Sequence, residues 1–190
     1  MIRLIVGLGN PGAQYQTTRH NAGFLFLDEL IAKFGGFWSQ QSKFEAELTE
    51  CLIGAEKIML LKPQTYMNKS GGSVGKVMRY YKMMPDQLLV VHDELDFAPG
   101  IIKLKKGGGH AGHNGLRDIV AHLGSADFYR LRIGIGRSSD NIAAFVLSKP
   151  CDTEWCQISK AMQQGMSCIG DIVAGNINTA TNCLNSGLVK

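Results

Sequence analysis

Five short polar clusters in this chain hold side chains that can do chemistry: Asn10, His20-Asn21, Asn68, the segment 93–96 with Asp93 and Asp96, and His113-Asn114. A histidine takes up and releases protons near neutral pH. A carboxylate beside it fixes the imidazole tautomer and steadies the imidazolium that forms. Neutral carboxamides donate to a developing oxyanion, a role worth about 3 kcal/mol where water is excluded. A covalent nucleophile is poorly supplied, because Ser70 has no base beside it and none of the five cysteines falls in these clusters. The set therefore suits hydrolysis by an activated water. Taken singly, each Asn is an ordinary cap or turn residue and His20 a surface or cap histidine. Only their convergence on one crevice makes a site.

The elements that would bring them together follow from periodicity. Strands are expected over 3–8, 44–53, 57–62, 88–91, 101–104 and 129–135. Residues 54–56 form a hairpin turn, and Pro63 closes the strand before it. Phe24, Leu27, Leu30, Ile31 and Phe34 share a helical face that Gly35-Gly36 ends. Helices are also expected over 73–82 and 116–123, and helical spacing resumes from about residue 140. Strands and helices alternate without a repeat or linker. The fold expected is α/β, a single domain over 1–190 with a twisted mixed β-sheet packed between helices. Asn10 and Asp93 each follow an apolar strand, Asn68 follows the strand closed by Pro63, and His20 and His113-Asn114 each precede a helix. In open α/β sheets, crevices form at the carboxyl ends of strands, so these positions can converge.

Three patterns suggest other chemistry and are set aside. GLGNPG at 7–12 matches the dinucleotide fingerprint G-x-G-x-x-G, but Pro11 interrupts it, the residues after it have no helical face, and Asp28 falls inside a helix. Gly75-Lys76 fails as a nucleoside-triphosphate loop, because Val77 cannot bind Mg²⁺ and Ser70 stands in the place of the first glycine. His110, His113, Asp93 and Asp96 could ligate a metal, but two histidines on a glycine-rich loop, with no cysteine near and His92 facing away from Asp93, make a weak donor set. No metal or cofactor is expected.

The chain has 20 Lys and Arg against 16 Asp and Glu, a net charge of +4. Residues 101–137 hold seven basic residues (Lys103, Lys105, Lys106, Arg117, Arg130, Arg132, Arg137) and two acids, so that window is +5 and the remainder −1. The whole basic excess lies in one stretch, interrupted by Gly107-Gly108-Gly109, as a face for a polyanion would require. At 45 % hydrophobic and 19 % charged residues the chain is not disordered. Its apolar runs are too short to span a bilayer, and its amino terminus does not have the form of a signal peptide. The odd cysteine count (Cys51, Cys151, Cys156, Cys168, Cys183), without a CxxC pair, suggests small buried apolar side chains in a reducing cytoplasm.

VGLGNPG, TRHNAGF, KPQTYMNKSG, HDELDFAPG, GGGHAGHNGL and RLRIGIG occur in this order between about residues 4 and 149. Together they closely resemble the bacterial-type peptidyl-tRNA hydrolase family. The resemblance implies hydrolysis of the ester between peptide and tRNA, on a single α/β domain that is monomeric and cytoplasmic and uses no metal or cofactor. By position it implies His20 as general base and Asp93 as its support. Asn10, Asn68 and Asn114 would bind the peptide main chain beside Tyr66 and Met67, His113 would shape the pocket, and Tyr15 would lie at the cleft mouth. Lys105 and Arg132 would grip a tRNA phosphate, in keeping with the charge window. Ala98 and Ser138 stand where the family commonly has proline. Two other classes remain open on the residues alone, an RNA-binding relative without activity and a nucleotide-dependent enzyme. Intact His20 and Asp93 argue against the first, Pro11 and Val77 against the second.

Overall fold

The computed structural model describes residues 1–138 and 140–186. Seven strands form one sheet: β1 (Leu4–Gly7), β2 (Ser39–Gln41), β3 (Ala46–Ile53), β4 (Glu56–Pro63), β5 (Leu88–Glu94), β6 (Ile102–Lys106) and β7 (Tyr129–Gly134), in the order β2-β3-β4-β1-β5-β7-β6. β1 pairs in parallel with β4 and β5, and β5 with β7. The outer pairs β2–β3, β3–β4 and β6–β7 are antiparallel. The sheet is therefore mixed, as expected. The helices are α1 (Ala22–Phe34), α2 (Ser70–Tyr80), α3 (Asn114–Leu123), α4 (Ile142–Val146), α5 (Asp152–Ala174) and α6 (Ile177–Ser186).

Alternation along the strands assigns the two faces. Ile5, Leu89, Val91, Leu131 and Ile133 pack with Phe26 and Leu30 of α1, Ile169 of α5 and Leu184 of α6. Leu4, Val6, Leu88 and Val90 pack with Val74 and Val77 of α2 and Ile119 of α3. The central strands β1 and β5 are buried on both faces, which is why they read as unbroken apolar runs.

Two close approaches set the site. A Cβ on Gly23 would stand 2.3 Å from Val91 O and 2.4 Å from Leu8 N, and one on Gly7 would stand 2.3 Å from Gly23 O. Only glycine lets the start of α1 rest directly on the end of β1 and the middle of β5.

Several boundaries differ from expectation for identifiable reasons. Helix α2 begins at Ser70, earlier than 73, and its Gly71 lies where a Cβ would stand 2.2 Å from Asp118 O of α3. These glycines lower helix propensity but let α2 and α3 cross closely. Strand β3 begins at Ala46, because Glu45 is left-handed (φ 52°) and Phe44 belongs to the 3-10 turn Ser42–Phe44. Polar, exposed β2 has no apolar alternation to announce it. The expectation of uniformly buried thiols is corrected: Cys51 is buried, but Cys151 and Cys156 are exposed, and Cys168 and Cys183 form a disulfide joining α5 to α6. Pairing between cysteines 15 residues apart on two helices leaves no local signature in sequence. Among the described residues no helix is long and apolar enough to cross a membrane.

Candidate active site at the end of β5

Asp93 lies one residue from the end of β5, on the same side of the strand as Leu89 and Val91, and so faces α1. His20 sits in the 3-10 turn Arg19–Asn21 that runs directly into α1. Its Nδ1 lies 3.0 Å from both Asp93 Oδ1 and Oδ2. His113, just before α3, reaches over the strand end and places Nε2 3.0 Å from Asp93 Oδ1. The carboxylate only accepts, so the neutral tautomers follow: His20 donates from Nδ1 and His113 from Nε2. His113 Nδ1 then accepts from Leu116 N at 3.4 Å, capping α3. No hydrogen bond among the described residues reaches His20 Nε2, which is left as a free base. The side chains are 12 % exposed for His20 and 2 % for Asp93, so bulk water screens this pair weakly.

The electrostatics follow from that geometry. Burial disfavours the charged form of His20, but the charge and hydrogen bond of Asp93 outweigh it and raise its pKa above 6.5. Burial likewise opposes the Asp93 charge, yet the two flanking imidazoles hold its carboxyl well below the usual range. His92, on the opposite side of β5, is pushed down to about 3 by burial and by the neighbouring His113, and stays neutral. Its Nδ1 donates to Asp93 O at 2.7 Å. His20, Asp93 and His113 also offer ligand atoms within 4.8 Å of one another. The quartet weighed and set aside from the sequence is not assembled: Asp96 pairs with Arg137 and His110 accepts from Gly112 N.

A cavity of about 180 Å³ opens on this cluster, and Asn114 and His113 line it with Leu95, Ile142 and Val146. Asn10 is buried beside it. Asn10 Oδ1 accepts from Met67 N at 2.7 Å, and the Asn21 side chain clasps the Asn10 backbone, accepting from N and donating to O, both at 2.9 Å. Met67 is buried against this contact, while Tyr66 and Asn68 are exposed. Tyr15 lies half-buried in the 3-10 turn Ala13–Tyr15. Asn10, Tyr15, Tyr66, Met67 and Asn68 are not among the side chains lining the His20 cavity, so of the expected set only His20, Asp93, His113 and Asn114 meet there.

Lys105 and Arg132 line a second cavity of about 290 Å³ with His92 and Arg130, and it shares Glu94, His110 and Ala111 with the first. The basic window is less free than its charge count suggests. Arg130 is buried and donates to Gly108 O and Gly109 O, at 2.7 and 2.6 Å, which holds the glycine loop. Arg132 Nε lies 2.9 Å from Glu94 Oε2. Lys106 pairs with Asp127, whereas Lys105 is exposed and has no ion pair among the described residues.

Two positioning residues escaped the sequence reading. Asn21 was grouped with His20 without a task, and its clasp on Asn10 is long-range. Buried Arg19 donates to Glu154 Oε2 (2.6 Å), Ser148 Oγ (2.6 Å) and Lys149 O (2.9 Å), tying the His20 turn to the first turn of α5 and the segment before it. An arginine next to a histidine carries no such signal by itself.

A family model for peptidyl-tRNA hydrolases matches residues 4–190. Peptidyl-tRNA hydrolase of Methylococcus capsulatus is 47 % identical over 187 residues, which is 97 % of this chain and 100 % of that one. The protein of the same name from Dichelobacter nodosus is 50 % identical over 188 residues, 98 % of this chain and 100 % of its own. The crystal structure of peptidyl-tRNA hydrolase from Acinetobacter baumannii superposes with a TM-score of 0.94 at 44 % identity, covering 98 % of this chain and 95 % of that chain.

Proposed function

The chain belongs to the peptidyl-tRNA hydrolase family and hydrolyses peptidyl-tRNA, and we propose that His20 drives the reaction as general base with Asp93 as its support. The observation that carries this is the His20 Nδ1 contact of 3.0 Å to both Asp93 oxygens, with Nε2 free. Nε2 takes a proton from water as the water oxygen attacks the ester carbonyl carbon. The imidazolium is steadied by the carboxylate behind it, and the two-point contact keeps the ring aimed. The tetrahedral oxyanion is met by a carboxamide donor, that of Asn114, which lines the cavity. Collapse expels the ribose oxygen, which recovers the proton from Nε2. Free peptide and free tRNA leave with one water consumed.

His113 holds the far side of Asp93 and the mouth of the pocket. Tyr66, Met67 and Asn68, joined to Asn10 through Met67 N, meet the peptide outside the cavity that His20 lines, as does Tyr15. Lys105 and Arg132 receive a tRNA phosphate. The working unit is one domain over 1–190, acting as a monomer in the cytoplasm. The single sheet on which both cores rest supports the one-domain reading.

Release of peptide from peptidyl-tRNA by the wild type and by His20→Ala tests the base. The variant should lose about 10²–10⁴ in kcat and still bind tRNA. Retention of more than about a tenth of the wild-type rate would assign the base elsewhere.

A further inference from the structure

A third cavity, of about 430 Å³, lies on the other side of the His20 turn and is lined by Asn10, Asn21, Asp28, Glu47 and Lys62 among others. It falls in the usual range for small-ligand sites, about 300–1,000 Å³. His20 lines the central cavity and its chain neighbour Asn21 lines this one. The basic cavity shares Glu94, His110 and Ala111 with the central cavity. The three therefore run in order: basic cavity, His20, and the Asn10 cavity. Peptidyl-tRNA is linear in the same order, from phosphate to ribose ester to peptide.

We propose that the Asn10 cavity is the subsite for the peptide residue preceding the esterified one, and that Asp28 and Glu47 make it favour basic over acidic side chains there. This rests on the reading of His20 as the base and of the Lys105–Arg132 end as the phosphate end. Asn10 supplies the main-chain contact. It is 7 % exposed, its Oδ1 is held by Met67 N, and its Nδ2 has no partner among the described residues. That amide suits a peptide carbonyl.

The charge of the cavity is set by three side chains. Lys62 is buried, with Nζ 2.8 Å from Asp28 Oδ1 and 3.5 Å from Glu47 Oε2, and it sits 4.3 Å over the Trp38 ring. One ammonium against two carboxylates leaves one net negative charge. The ammonium is the hidden member, and the carboxylates are the more exposed ones, at 49 % for Asp28 and 30 % for Glu47. An incoming lysine or arginine meets carboxylate first, and an incoming glutamate meets repulsion.

The test uses two N-acetyl-dipeptidyl-tRNAs that share an esterified alanine and carry lysine or glutamate before it. The lysine substrate should be favoured in kcat/KM by about three- to fivefold, the size of one partly solvated charge contact. The ratio measured within one variant cancels any loss of folded enzyme. It should shrink in Glu47→Gln and invert in the double variant Asp28→Asn/Glu47→Gln, where Lys62 is left unopposed. Equal turnover of both substrates by the wild type, or a lysine preference that survives in the double variant, overturns the subsite while leaving the catalytic reading intact. Failure of the wild type to release either peptide overturns the catalytic reading and the subsite with it.

Discussion

Asp93 accepts from two imidazoles, His20 on one side and His113 on the other, and its Oδ1 serves both. An asparagine there offers one acceptor and one donor, so one ring must turn, shift or lose its bond. Asp93→Asn should keep the fold and lower kcat by about a hundredfold or more, because the wrong tautomer of His20 is then favoured. The pH dependence carries a second sign. As the proposed base His20 must be neutral to act, and burial alone would lower its pKa, while Asp93 raises it above 6.5. The acid limb of kcat/KM in the wild type should therefore fall above that value. In Asp93→Asn the raising influence is gone and the lowering one stays, so the limb should move to more acid pH. A limb that stays in place in the variant would mean that another group titrates.

At the scale of elements, the site depends on how α1 meets the sheet. His20 is three residues before Gly23, and Gly23 rests on Val91 O and Leu8 N with no room for a methyl group. Gly23→Ala must lift the start of α1 and carry His20 away from Asp93. The expected result is a loss of about 1–3 kcal/mol in stability on thermal unfolding, together with a fall in kcat. Wild-type kcat in a fully folded variant would show that the turn is anchored elsewhere, by Arg19 and Asn21. How legible all this was depended on the range of the forces. The central strands and α1 read directly, because burial on one or both faces writes a period into residues such as Leu88–Val91 and Phe24–Phe34. Clusters at strand ends also read, as polar residues bounding apolar runs. The glycine contacts at 7, 23 and 71 were visible only as an excess of glycine, since what each one touches lies far away in the chain. The same holds for Asn21 on Asn10, Arg19 on Glu154, and the Cys168–Cys183 pair.

At the scale of the whole molecule, charge is segregated. The +5 window of 101–137 lies on β6, β7, the glycine loop between β6 and α3, and α3 itself, at one edge of the sheet. Lys105 and Arg130 are Cα partners across β6 and β7, as are Lys103 and Arg132, so all four side chains share one side of that edge. Their tasks differ. Arg130 is committed to two carbonyls of the glycine loop, and Arg132 is partly neutralised by Glu94. Lys105 is the freest charge beside the cavity. Phosphate contacts release counterions, so affinity for tRNA should fall as salt rises, with a slope set by the number of contacts. Lys105→Ala should raise KM for full peptidyl-tRNA and reduce that slope by about one contact. Arg132→Ala should do the same more weakly in slope, because Glu94 already offsets part of its charge. Neither should much alter turnover of a short aminoacyl-nucleotide mimic, which ends before the basic cavity. Arg130→Ala is the contrasting case: it frees the glycine loop that walls both cavities, so it should impair the mimic as well as the full substrate. Wild-type KM and salt slope in both Lys105→Ala and Arg132→Ala would place the tRNA on another face.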